Sequence, residues 1–128
     1  MEYYFSKIIP AKFADAIELT KKALATEGFG VISEIDMQGK LKEKLGVEYK
    51  KYTILGACNP AFAYKALQIE ERIGTMLPCN VVVIDREDGT TEVAAVHPIA
   101  SMMAVPNTGL QAIAKEVSDK LEKAINAI

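Results

Sequence analysis

The sequence predicts an α+β fold: an antiparallel sheet with helices packed on one face, in a β-α-β-β-β-β-α type of order with a long C-terminal helix. The segments CNVVVID and TEVAAVH flank Asp88-Gly89 and form the clearest β-hairpin of the chain. The segment that begins at Asn107 repeats apolar residues at helical spacing to the end of the sequence. Because the hairpin is antiparallel, the pattern excludes a doubly wound parallel sheet.

The N-terminal part alternates strand, helix and strand. EYYFSKII and FGVISEI are rich in β-branched and aromatic residues, which predicts two strands. Between them, Pro10 is a favoured first helical residue and Gly28 a favoured helix stop. The helix has one apolar stripe, formed by Phe13, Ala16, Ile17, Ala23 and Leu24.

The middle of the chain predicts a short helix, a strand and a further helix. Asp36 is a suitable cap for the helix MQGKLKEKLG, which ends at Gly46. EYKKYTILGAC then predicts the third strand. Asn59 is a favoured helix cap and Pro60 a favoured first residue. The apolar side of that helix consists of Phe62, Ala66, Ile69 and Ile73.

The register of the last hairpin has two alternatives. A two-residue turn at Asp88-Gly89 places Asn80 opposite His97, whereas a three-residue loop, Glu87-Asp88-Gly89, places Cys79 there. Because side chains alternate between the two faces of a sheet, one residue of slip decides whether Cys79 and His97 can share a ligand. The sequence leaves both registers open.

The last part of the chain combines a hydrophobic strand with a long helix. The run Val81–Ile84 indicates burial on both faces, as in a central strand or a subunit contact. Met102 and Met103 lie in a short irregular piece bracketed by prolines, where we expect them to serve core or dimer packing. Asn107 is expected to cap the closing helix, whose buried face is formed by Leu110, Ile113, Val117, Leu121, Ile125 and Ile128.

The composition predicts an ordinary globular protein. The chain has 128 residues, which fits a single domain over residues 1–128. Its 15 basic and 17 acidic residues give a net charge of −2 without a basic block, so we expect no nucleic-acid partner. We also expect no membrane association, because a basic leader and a long apolar run are both missing. The default location is the cytoplasm, where both cysteines would be reduced.

Several kinds of active site are excluded by their missing residues. His97 is the only histidine, and a zincin helix needs two. The sequence contains neither a phosphate-binding loop nor a dinucleotide fingerprint, and Ser101 near His97 lacks a nucleophile elbow. Among the carboxylates, Glu34 at a strand end is a candidate for a pocket, although charged residues there are usually exposed.

Cys58 and Cys79 are the principal candidates for a site. Thiolates, together with His97 and Met102 or Met103, would suit zinc or copper(I). The spacing between the cysteines matches no known metal motif, so only the fold could bring them together. The alternatives are buried structural cysteines, which this residue type often provides, and a redox pair.

Three segments together, LGACNPAFAYKAL, LPCNVVV and VAAVHP, resemble the family known as domain of unknown function three-hundred-and-two. The resemblance covers nearly the whole chain and implies a fold like one repeat of the TATA-binding protein, in a homodimer. Such a likeness of fold does not imply DNA binding. The motif positions are Gly56, Cys58, Asn59, Pro60, Pro78 and Cys79.

The favoured function is a homodimeric domain that binds a small ligand or a soft metal ion in a cleft. We expect Cys58, Asn59 and Cys79 to line this cleft, with Glu34 and His97 at its rim and the two thiols as ligands of zinc or copper(I). Two alternatives remain. One is a non-catalytic dimerisation module with structural cysteines, and the other is a small thiol-dependent enzyme.

Overall fold

The computed structural model describes residues 2–128 and is built around one five-stranded sheet. Every pair of neighbouring strands is antiparallel, in the order β1-β5-β4-β3-β2. β2 to β5 therefore form a meander, and β1 lies beside β5, which confirms the predicted α+β fold. The strands are β1 (Tyr4–Ile9), β2 (Gly30–Asp36), β3 (Tyr52–Cys58), β4 (Cys79–Asp85) and β5 (Thr91–Val96).

Helices cover one side of the sheet, and the longest of them ends the chain. The α-helices are α1 (Phe13–Thr26), α2 (Met37–Leu45), α3 (Pro60–Ile69), α4 (Pro98–Ser101) and α5 (Leu110–Asn126). A 3₁₀ helix at Glu71–Met76 follows α3. The sequence pattern did not predict this 3₁₀ helix or α4, since both are too short to show a periodic apolar stripe.

The main core lies between the sheet and helices α1 and α5. Val81 and Val83 of β4 are fully buried there, together with Leu24 of α1 and Leu121 of α5. Val82 and Ile84 point to the opposite, open face and are half-buried, and Asn80 is exposed. Although β4 is central in the sheet, the expected burial of the run Val81–Ile84 on both faces is therefore wrong for the single chain.

A second cluster of apolar residues lies outside the main core. Its buried members are Ala66 of α3, Ile73 of the 3₁₀ helix and Leu110 of α5. Four half-buried residues pack against them: Met76, Leu77, Met102 and Val105. This second cluster joins the short segments that the sequence left irregular.

Three local predictions were wrong. α1 begins at Phe13 and not at Pro10, because the carbonyl of Ala11 accepts a hydrogen bond from Thr91 Oγ1 (2.8 Å) and keeps the chain on the sheet. α3 ends at Ile69, since the Glu70 carboxylate accepts from the N–H of Arg72 (3.2 Å) and starts the 3₁₀ helix. The third strand begins only at Tyr52.

The predicted caps have different outcomes. Asp36 caps α2 by accepting a hydrogen bond from the N–H of Gly39 (3.0 Å), as expected. Asn107 lies before α5 and does not cap it directly. Its Oδ1 accepts from the N–H of Gly109 (3.1 Å) and its Nδ2 donates to the carbonyl of Ile69 (3.1 Å), which ties the start of α5 to the end of α3.

The structure selects the three-residue loop in the last hairpin. Asp85 lies across from Thr91, and Arg86 donates its N–H to the carbonyl of Thr90 (3.1 Å). Gly89 then takes a left-handed conformation, with a φ of 88°. If this register continued, Cys79 would lie across from His97. Among the described residues, however, the pairing of β4 with β5 ends at Val81 and Ala95, so Cys79 and His97 are not paired.

Candidate functional site

A cavity of about 320 Å³ opens where β3 and β4 meet α3. Its wall includes both cysteines, one face of α3 at Phe62 and Ala66, and Met102 from the segment after α4. Pockets that bind small molecules usually measure about 300–1,000 Å³ and are mostly apolar. The lining contains no charged side chain among the residues that the structure describes. The cavity therefore suits an apolar molecule.

The ends of two strands bring the cysteines to this cavity. β3 ends at Cys58, and the chain turns through Asn59 into α3. β4 begins at Cys79 after Pro78, whose peptide bond with Leu77 is cis. The residue directly across from Cys79 is Ala57, so strict alternation would separate the two thiols. Both line the cavity because β3 ends at Cys58.

The two thiols have different environments. Cys79 is only 6% exposed, and its burial, with a smaller contribution from the nearby Cys58, raises the pKa of its thiol to about 11. Cys79 is thus a neutral thiol at physiological pH, which makes it a weak nucleophile. Cys58 is half-buried, and both cysteines are free. The accessible thiol of the site is therefore Cys58.

Asn59 contributes the polar group of the cavity wall. It occupies the cap position of α3, but its side chain makes no capping hydrogen bond. Its Nδ2 instead donates to the carbonyl of Glu27 (3.4 Å). Gly28 is packed against it, since a Cβ there would lie 3.1 Å from the same Nδ2. Asn59 thus links the end of α1 to the wall, and the first turn of α3 lacks a side-chain cap.

Gly56 supports the wall from the neighbouring position of β3. A Cβ on Gly56 would collide with Ser33 Oγ and would lie 2.7 Å from Pro78 Cγ. Pro78 itself lines the cavity. The close approach of these two residues therefore needs a glycine at position 56.

The other two predicted site residues lie elsewhere. The carboxylate of Glu34 accepts a hydrogen bond from Lys21 Nζ (2.8 Å), which raises the pKa of Lys21. The ring of His97 stacks on Phe5, with centroids 4.5 Å apart, and its Nδ1 lies 3.3 Å from Ser118 Oγ. Neither Glu34 nor His97 is part of the cavity lining in residues 2–128.

The donor set for a metal is limited to sulfur. Within the described part of the chain, no group of three or more His, Cys, Asp or Glu side chains is placed to hold a metal ion. Met102, which we expected in core or dimer packing, lines the same cavity as Cys58 and Cys79. The sequence analysis named Met102 or Met103 as possible partners of the cysteines in a metal site, and of these two methionines only Met102 lines the cavity.

Comparison with known proteins places the chain in a family. The model of the family described as "Domain of unknown function DUF302" matches residues 5–128. The chain belongs to this family. Among DUF302 structures, the crystal structure of an uncharacterized conserved protein from Bacillus stearothermophilus is similar, with 27% sequence identity, a TM-score of 0.90 and coverage of 98% of each chain.

A relative from Aquifex aeolicus (strain VF5), named an uncharacterized protein, is 26% identical over 94 residues, or 73% of this chain. The match covers 59% of that protein, so the chain spans about three-fifths of the length of this relative. None of the helices in residues 2–128 is long and apolar enough to cross a membrane. The likeness to one repeat of the TATA-binding protein stays a prediction.

The positions that carry the resemblance in the sequence lie around the cavity. Cys58, Asn59, Pro78 and Cys79 line it directly. Gly56 makes room for Pro78, and Pro60 is the first residue of α3. Two of the three segments by which the chain resembles its family, LGACNPAFAYKAL and LPCNVVV, therefore contribute to the cavity, whereas VAAVHP does not.

Proposed function

We propose that the protein binds a small, mainly apolar molecule in the cavity beside Cys58 and Cys79. The observation that supports this proposal most strongly is the lining itself, which is uncharged throughout the described residues. Mostly apolar pockets of about this volume are typical binding sites for small molecules. Filling the cavity would gain apolar contacts without the cost of desolvating a charge.

The polar groups of the wall would orient the ligand. The amide of Asn59 and the thiol of Cys58 border an otherwise apolar space. The uncapped first turn of α3 adds N–H groups that favour an oxygen atom with partial negative charge. A hydrocarbon body with one uncharged polar group, such as a hydroxyl or a carbonyl, matches this arrangement.

Protection of Cys58 from alkylation tests the proposal. We expect N-ethylmaleimide to label Cys58 at neutral pH, while the buried Cys79 reacts slowly. Saturating n-octanol, used as an apolar probe, should slow the labelling of Cys58 several-fold. A labelling rate unchanged by n-octanol, together with no heat of binding in calorimetry, would reject the proposal.

Two substitutions on α3 provide a matched pair for this experiment. Ala63 lines the cavity, whereas Ala61 is exposed on the same helix and lies outside the lining. Ala63→Leu should fill the cavity and abolish protection by n-octanol. Ala61→Leu should leave protection as in the unmodified protein. Equal protection in both variants would place the probe outside this cavity.

A second candidate is copper(I) binding, favoured by one specific observation. Two thiols and the thioether of Met102 line the same cavity, and soft sulfur ligands select copper(I). Zinc is less well matched, since its sites usually hold four ligands and the described residues offer no third His, Cys, Asp or Glu here. Copper would also have to displace the proton that burial holds on Cys79.

A titration with copper(I) against a chelating competitor tests this candidate. Native mass spectrometry should show one copper per chain, with binding weakened in Met102→Leu and abolished in Cys58→Ser. Transfer of all copper to the competitor, with Cys58 still open to alkylation, would exclude the copper site. Zinc in a parallel titration would show whether the site is selective.

Self-association through the open face of the sheet is the third part of the proposal. This face carries Val82 and Ile84 of β4 beside Tyr52 of β3 and Val96 of β5, and these apolar side chains are only half-buried in the single chain. Asn80 and Glu92 lie beside them on the same face. An exposed apolar patch that is bordered by polar residues often marks an interface. If the protein is only a dimerisation module, serine at both cysteines should leave its function in cells intact.

Light scattering tests this interface. Val82→Lys should convert a dimer into a monomer, because a charge at the centre of the contact would have to be buried. Ala61→Lys, on the exposed side of α3, is the control and should leave the mass unchanged. A protein that is monomeric without any substitution would contradict the dimer.

A further inference from the structure

We infer that Met102 is a movable partition that sets the length of a linear aliphatic ligand. This inference rests on the proposed binding of an apolar molecule in the cavity. It adds the class of ligand, an unbranched hydrocarbon chain with an uncharged polar end. It also assigns a specificity-determining residue.

Two voids meet at Met102. The first is the cavity of about 320 Å³, which is at the lower end of the volumes usual for ligand pockets. The second is a groove of about 490 Å³ between α5 and the segment that follows α4. Met102 is the only residue in the described part of the chain that lines both. Displacement of its side chain would join the voids into one elongated site.

The position of Met102 allows this displacement. It follows α4, a helix of only four residues, and is held through its backbone by the carbonyl of Pro98 (2.9 Å). Its side chain is half-buried, and methionine has three rotatable bonds with which it adapts to its surroundings. The backbone can therefore stay in place while the thioether moves.

The polarity of the two voids indicates the class of ligand. The cavity is apolar, whereas the groove combines apolar residues with Asn107, Gln111 and Lys115. The charge of Lys115 is already balanced by Asp119, whose carboxylate lies 2.9 Å from Lys115 Nζ. An anionic group in the groove would meet that carboxylate, and the amide of Asn107 already bonds Ile69 and Gly109, so the groove favours an uncharged part of the ligand. The polar end of the ligand would stay at Asn59 in the cavity, and the hydrocarbon chain would run past Met102 along the apolar residues of the groove.

A comparison of n-hexanol and n-decanol tests the partition. In the unmodified protein, the longer alcohol must displace Met102, whereas Met102→Ala opens the way. Because each buried methylene favours binding, we expect Met102→Ala to raise the ratio of n-decanol to n-hexanol affinity at least about tenfold. Met102→Leu preserves the bulk without the sulfur and should leave the ratio near that of the unmodified protein.

Met76→Ala is the matched control, since Met76 packs on the same second cluster but lines neither void. The ratio of n-decanol to n-hexanol affinity in Met76→Ala should equal that of the unmodified protein. Calorimetry and protection of Cys58 give two independent readouts, and Met102→Val replaces the alanine variant if that variant does not fold. An equal ratio in the unmodified protein and in the folded truncated variant would overturn the partition while leaving the proposed function intact. Failure of n-hexanol to bind the unmodified protein would overturn both.

Discussion

The main core and the second cluster differ in how completely their space is filled. The main core joins the sheet to α1 and α5, and Leu24, Leu121 and Val81 are fully buried in it. The second cluster has only three buried members and lies beside the cavity and the groove. The wall of the cavity also includes Phe29, Cys79 and Val117 of the main core, so the unfilled volume lies where the two regions meet.

This difference has a physical reason. Close packing maximises dispersion contacts and stability, whereas a ligand site must leave volume unfilled and so gives up those contacts. The second cluster combines the 3₁₀ helix and the segment that follows α4 with one buried residue each from α3 and α5, Ala66 and Leu110. A chain that binds small molecules would place its site in such a region.

The largest expected difference in the free energy of unfolding is between alanine substitutions at two leucines of α5. Leu121 is buried in the main core and Leu110 in the second cluster. Leu→Ala substitutions cost about 2–5 kcal/mol, depending on how well the site can collapse. We expect a loss in the free energy of unfolding of about 4 kcal/mol for Leu121→Ala and about 2 kcal/mol for Leu110→Ala, whose surroundings are already open. Urea unfolding measures both, and equal losses would contradict the comparison.

The same division explains what the sequence could predict. The main core follows regular periods, so the stripes of α1 and α5 could be inferred from residues such as Leu24 and Leu121, whereas the place of β1 beside β5 could not. The second cluster depends on segments without a period. The sequence did not indicate that Ile73 would leave α3, and it did not distinguish Met102, which lines the cavity, from Met103, which does not.

The cysteines show the limit most clearly. The sequence showed that Cys58 and Asn59 lie at the start of a helix and Cys79 at the start of a strand. We therefore expected these three residues to line one cleft, and in the structure they line the same cavity. Whether both thiols face the cavity depends on the exact residue at which β3 ends, and the sequence does not show that residue. Glu34 could not be assigned from sequence either, because its partner Lys21 belongs to α1, a separate element.

The next largest expected effect is a loss of folding stability at alkaline pH, which distinguishes Cys79 from Cys58. Burial raises the pKa of Cys79 from 9.0 to about 11, so the folded state holds this proton more tightly than the unfolded state. The resulting stabilisation is complete below pH 9 and is lost as the pH rises from 9.0 towards 11. Between about pH 8 and about pH 10.5, this contribution should fall by about 2 kcal/mol.

Urea unfolding at both pH values tests this expectation. Cys79→Ala should lose less stability over that interval than the unmodified protein, because the buried proton is absent. Cys58→Ala, at the half-buried position, serves as the control and should keep most of the alkaline loss. Identical pH profiles for the unmodified protein and Cys79→Ala would show that Cys79 is not sealed from water.

A smaller expected loss of stability distinguishes Gly56 of β3 from Gly30 of β2, the strand that pairs with β3. A Cβ on Gly56 would collide with Ser33 and Pro78, whereas a Cβ on Gly30 would meet nothing within 4 Å. Gly56→Ala should therefore cost about 1–3 kcal/mol through overpacking, and Gly30→Ala should be nearly neutral. The displaced Pro78 should also alter the protection of Cys58 by n-octanol. A neutral Gly56→Ala would mean that this wall is as loosely packed as the cavity behind it.

The smallest expected loss of stability distinguishes two residues that the sequence predicts to be helix caps. Asp36 and Asn59 both precede helices, but only Asp36 accepts a capping hydrogen bond, from the N–H of Gly39. Asp36→Ala should cost about 1 kcal/mol, as loss of a helix cap usually does. Asn59→Ala loses only a long hydrogen bond to Glu27, of 3.4 Å, and should cost about half as much or less. Its stronger effect should be on ligand protection of Cys58, because Asn59 lines the cavity. If urea unfolding instead showed Asn59→Ala to be the costlier change, this asparagine would serve the fold rather than the site.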